Sequence, residues 1–185
     1  MYAFRPVALI LIALVALVPA VGCGFTKASD KKGTELIPEK TIRKKSDEVT
    51  PEQEAIFRIL DDDKHQLKQA TDGLSEKAQP SAVTKVIGAY ADHFEKVDLG
   101  VTTKEFKEVY EKHMKAWRAL HVAIRKLPDA YAEGEFVADL VALFRTDGQR
   151  GKSLGGDVTN GVKKVLSTYT DVLAAAETAG LEVVR

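Results

Sequence analysis

The sequence predicts an all-α fold, an antiparallel four-helix bundle with a short extra helix in the crossover before the last helix. Three observations carry that prediction. Apolar side chains recur at three- and four-residue steps through four long segments. Capping residues, prolines and glycines bracket those segments. No alternating strand pattern with hairpin turns is found along the chain. Four amphipathic stripes cannot each face water, so they pack against one another.

The first helix opens at Thr50-Pro51-Glu52-Gln53, with threonine as cap, proline at the first helical position and glutamine placed for a capping box. Ile56, Ile59, Leu60, Leu67, Ala70 and Leu74 form its stripe, and Gly73 ends the regular pattern. The second helix opens near Pro80, carries Val83, Val86, Ile87, Tyr90, Phe94 and Val97, and is expected to run to Gly100. A capping box at Thr102-x-x-Glu105 starts the third, where Phe106, Val109, Tyr110, His113, Trp117, Leu120, Ile124 and Leu127 share a face until Pro128. The short helix holds Phe136, Leu140, Leu143 and Phe144. The last runs from about Asp157 with Val158, Val162, Val165, Tyr169, Leu173 and Ala176 inward, and Gly180-Leu181 suits a Schellman-type close.

Composition excludes several function classes. The chain has 185 residues, with 27 basic and 27 acidic side chains, so no global field favours nucleic acid. No basic face interleaved with aromatics is seen either, and no nucleic-acid partner is expected. The single cysteine excludes an internal disulfide framework and a cysteine-rich zinc site.

That cysteine, Cys23, closes an apolar run. Arg5 precedes a stretch from Val7 to Val21 without a charged side chain, which suits the apolar core of a signal peptide. Small residues follow at Ala20 and Gly22. The run Ala20-Val21-Gly22-Cys23 resembles the lipobox of bacterial lipoproteins, although Ala20 stands where that family usually has a larger aliphatic residue. The resemblance covers residues 1–23 and implies cleavage after Gly22 and acylation of Cys23, with chains such as palmitate. Two or three acyl chains suffice for stable anchoring in a lipid bilayer. It also implies a place at the bacterial cell membrane or outer membrane, with the domain facing the periplasm or exterior. Two other readings stay open: ordinary cleavage after a small-x-small motif, and retention of residues 6–25 as a membrane span.

Residues 23–49 are expected to be the lipidated cysteine and a disordered tether, between a signal segment at 1–22 and a helical domain at 50–182. From Thr26 to Val49 charged and small residues dominate without a helical period. The end-to-end distance of such a tether is roughly 25–30 Å. Its Arg43-Lys44-Lys45 run reads as a solvated cluster that anionic lipid or cell-wall polymer could meet.

Candidate chemistry is sparse. The fragment Gly148-Gln149-Arg150-Gly151-Lys152-Ser153 lacks the first glycine of a phosphate-binding loop, because Thr146 stands there, and no strand precedes it. At 100° per residue His113 falls within the apolar face of its helix, His93 and His121 on flanks, and His65 opposite. Asp63 also falls on the apolar side. Buried polar groups need partners, so a bond among Asp63, Tyr90, Tyr110 and His113 is expected. Tyr90-x-x-His93 and Tyr110-x-x-His113 repeat one spacing on consecutive helices and could frame a ligand pocket. No cofactor is expected. A di-iron bundle needs inward carboxylates with paired Glu-x-x-His motifs, and covalent haem needs Cys-x-x-Cys-His; the sequence has neither.

Two functions follow. One is a non-enzymatic envelope lipoprotein whose helical domain binds an envelope protein or polymer, or is structural. The other is a carrier of a small ligand, metal or haem, using a pocket near His113 formed with Asp63, Tyr90, His93 and Tyr110, with the glycine-rich connection as its gate.

Overall fold

The computed structural model describes residues 42–44, 49–72, 74–146 and 154–183. In chain order these form β1 (Ile42–Lys44), α1 (Pro51–Asp72), α2 (Pro80–Phe94), α3 (Lys104–Arg125), α4 (Glu135–Arg145), α5 (Gly155–Thr178) and β2 (Leu181–Val183). The protein is mostly helical. Cys23 and the Gly148–Ser153 fragment lie outside the described residues.

The capping box at the start of α1 forms as its sequence predicts. The Thr50 amide donates to Gln53 Oε1 at 3.0 Å, and the Gln53 amide donates to Thr50 Oγ1 at 3.2 Å. Gln53 then reaches across the molecule, where its Nε2 donates to the Ala179 carbonyl at 2.9 Å, just past α5. Gly180 follows with φ of 93° and closes α5 by donating to the Glu177 carbonyl at 3.0 Å.

Two boundaries differ from expectation. Helix α2 ends at Phe94 rather than near Gly100. The amide of Glu95 bonds back to Ala91, and Asp98 Oδ1 accepts from the Gly100 amide at 2.8 Å, an Asx-type turn that competes with helix. Helix α3 is capped by Thr103, whose Oγ1 accepts from the Phe106 amide at 3.2 Å. Thr102, the expected cap, instead donates its hydroxyl to the Leu99 carbonyl at 2.8 Å.

The two strands are a further correction, since the sequence predicts none and places residues 42–44 in a disordered tether. β1 and β2 pair antiparallel, with Ile42 opposite Val183 and Lys44 opposite Leu181. Three-residue strands are too short for an alternating pattern to stand out. In β2 the alternation is nevertheless present, with Leu181 and Val183 buried and Glu182 exposed.

α3 is the packing centre. It lies most extensively against α5 and next against α2, while α1 leans on α2 and α4 on α5. The α3–α5 approach is close because α5 presents Gly161 to Leu120: a Cβ there would stand 3.2 Å from the Leu120 Cα. One hydrophobic core draws on all five helices and includes Ile56, Phe94, Trp117, Phe136 and Val165. Among the described residues no helix is long and apolar enough to cross a membrane.

Candidate functional site

Among the described residues, and apart from tyrosine and tryptophan, the core encloses the polar side chains of Asp63 and Thr71 from α1, Thr84 from α2, His113 from α3 and Thr168 from α5. Thr71 and Thr84 return their hydroxyls to carbonyls of their own helices. The other three form two neighbouring constructions.

The first is a directed relay through His113. Trp117 lies one turn further along α3, and its Nε1–H donates to His113 Nε2 at 3.1 Å. An indole nitrogen only donates, so Nε2 carries a lone pair and the proton of the neutral ring sits on Nδ1. That Nδ1–H donates to Thr168 Oγ1 at 2.9 Å, and the Thr168 hydroxyl passes its own hydrogen to the Lys164 carbonyl at 2.8 Å. Burial alone pushes the His113 imidazole down to about 3, so the ring stays neutral. Both ring nitrogens are committed, and neither offers a lone pair to a metal.

The second is a carboxyl ringed by phenols. Asp63 is 6 % exposed and accepts a hydrogen bond on Oδ1 from the Tyr90 hydroxyl. Burial raises its carboxyl to about 7; the Tyr90 bond opposes that rise and the adjacent Asp62 adds to it. Burial and the Asp63 charge also raise the phenols of Tyr90, Tyr110 and Tyr169. Among the described residues the Tyr110 hydroxyl is buried without a hydrogen-bond partner. Tyr90 is wedged between Phe94 and Trp117, with ring centroids 4.9 and 5.0 Å away. A cavity of about 20 Å³ touches Asp63, Tyr90, His113, Trp117 and Tyr169. That volume admits about one water molecule and no haem or organic ligand.

The five residues expected to line a pocket therefore separate. Asp63, Tyr90 and His113 meet at the cavity, and Tyr110 packs beside them against Phe94 and Phe106. His93 leaves the set: it is exposed, and its Nε2 lies 2.8 Å from Asp62 Oδ2. The repeated Tyr-x-x-His spacing thus points one histidine inward and the other outward. Thr168 and Tyr169 complete the site. Thr168 stands three residues after the inward Val165, a helical spacing that marks it as a core position. Among the described residues no group of three or more His, Cys, Asp or Glu side chains comes together to hold a metal.

A larger cleft, about 400 Å³, opens on the surface between the end of α2 and α3. Phe94, Leu99 and Met114 give it apolar walls, and Lys107, Glu111 and Lys115 stand among its charged residues. Arg118 at its edge is held by Asp92 and by Glu95 Oε1 at 2.5 Å, and these bonds pull both carboxyls below their ordinary range.

Comparison of the chain with protein-family models, with curated proteins and with solved structures finds no match.

Proposed function

We propose that the chain is a bacterial envelope lipoprotein, held to a bilayer by acylated Cys23, with a non-enzymatic helical domain that binds an envelope protein or polymer or serves a structural role. The observation that carries the reading is Ala20-Val21-Gly22-Cys23 at the close of an uncharged apolar run. The domain faces the periplasm or exterior, and residues 23–41 link it to the anchor. Its helices α1, α2, α3 and α5 make an antiparallel four-helix bundle with α4 in the crossover. That architecture draws support from bonds that join the start of one helix to the residue just past the end of another, Gln53 of α1 to Ala179 after α5 and Asp157 of α5 to Lys126 after α3. The absence of enzymatic activity is inferred from the inward polar groups, which are largely committed to one another. Among the described residues, the surface cleft beside Met114 offers room for a partner. A carrier of haem or an organic ligand would need space that the cavity at His113 lacks.

Mass spectrometry of the native full-length protein from membranes tests the anchor. The expected result is a mature chain that starts at Cys23 and carries a diacylglyceryl mass, with Cys23→Ser left uncut or released from the membrane fraction. An unmodified Cys23, or unchanged membrane partition of a normally cut Cys23→Ser chain, overturns the proposal.

A further inference from the structure

Asp63 is the one acidic side chain that the fold buries among the described residues. It receives one hydrogen bond, from Tyr90, whereas a carboxylate offers about four lone-pair sites. Ionised, it would be a charge in the core with too few donors, a costly state. The groups around it come from every neighbouring helix. From α1 there are Asp62 and Lys64; from α2, Tyr90 and His93; from α3, Tyr110 and His113; from α5, Tyr169. Asp62 disfavours a charge on Asp63, His93 favours one from the surface, and His113 stays neutral. The adjoining cavity has room for a water that a carboxylate would recruit. Helix α1, which carries Asp63, is also the long helix with the least extensive packing.

From this geometry we infer that Asp63 is a pH-responsive latch for α1. Protonated, it shares a hydrogen bond with Tyr90 and holds α1 on α2. Ionised, it calls for donors beyond Tyr90, draws water through the cavity and loosens α1 from the rest of the core. The inference stands apart from the anchor at Cys23.

Its pH window follows from the direction of the shift. Burial raises the folded carboxyl to about 7 from 3.8. Its stabilising contribution is therefore complete below about pH 4 and lost as pH rises through 7. His113 acts in the opposite sense: its unfolded form takes up a proton below 6.5 that the folded form refuses until about 3. The two slopes oppose each other between about pH 4 and 6.5, and above that Asp63 acts alone.

Hydrogen exchange of the full chain at pH 6 and 8, corrected for the intrinsic rate, tests the latch. Protection of α1 amides between residues 59 and 67 should fall about tenfold, the linkage factor for the one unit from pH 6 to a midpoint of 7, and at pH 8 these amides should exchange ahead of α3 amides between 110 and 120. Asp63→Asn, which keeps an acceptor for Tyr90, should show no such fall. An equal fall in both proteins, or none in the wild type, overturns the inference. If Asp63→Asn does not fold, the carboxyl carbon resonance of Asp63 in the wild type decides: a midpoint near 7 supports the latch, and one below 5 overturns it.

Discussion

His113 and Trp117 show how one turn of helix can fix a tautomer. Because the indole can only donate, the imidazole must accept at Nε2, and the proton on Nδ1 then selects Thr168 on the facing helix. Trp117→Ala would open a cavity and leave Nε2 without its donor. The expected loss is about 3–5 kcal/mol by urea denaturation. His113 has its own signature. In an Asp63→Asn background, stability should rise with pH between about 4 and 6.5, and adding His113→Leu should remove that rise. Urea midpoints across the range check it; equal slopes with and without His113 refute it. The inward angles of Asp63 and His113 were readable from helical spacing alone. The bond between Asp63 and Tyr90 fell within the set expected from the sequence, whereas the Thr168 partner of His113 did not, because it lies 55 residues further on and local periodicity does not rank cross-helix neighbours.

At the scale of elements, the clearest junction is the one where α1 begins and α5 ends. Gln53 closes the cap of α1 and donates to Ala179, beside a glycine with left-handed backbone. Gly180→Ala would meet strain of about 1–2 kcal/mol for an L-residue at positive φ. Its Cβ would also come within 2.5 Å of Gln53 Nε2. A lower melting temperature is expected, and amides at both helix ends should exchange faster. Gly161→Val would press against the Leu120 backbone and should cost about 1–3 kcal/mol by overpacking, read from the urea midpoint. The helices were legible because their stripes are long; their ends were less so. Thr102 and Thr103 are both competent caps, and only the turn at Asp98–Gly100 decides between them.

For the whole molecule, a single core that takes residues from all five helices implies one cooperative unit. At pH 6, where Asp63 is mostly protonated, Trp117 fluorescence and far-ultraviolet circular dichroism should lose their native signals at the same urea concentration. Separate midpoints would reveal a helix that unfolds on its own. The pairing of β1 with β2 gives this unit a mechanical character. Lys44 and Leu181 form the end of the ribbon nearest the helices, and Ile42 and Val183 form its outer end. Tension on the N-terminal segment therefore arrives first at the outer pair. Pulled sideways, the ribbon opens from Ile42 inward, one backbone pair after another, like a zip. Pulled along β1, the force passes straight to Thr50 and the first turn of α1, which Gln53 pins to the end of α5. The direction of pull, and not its strength alone, thus selects between peeling a strand and stretching the seam between the first and last helices.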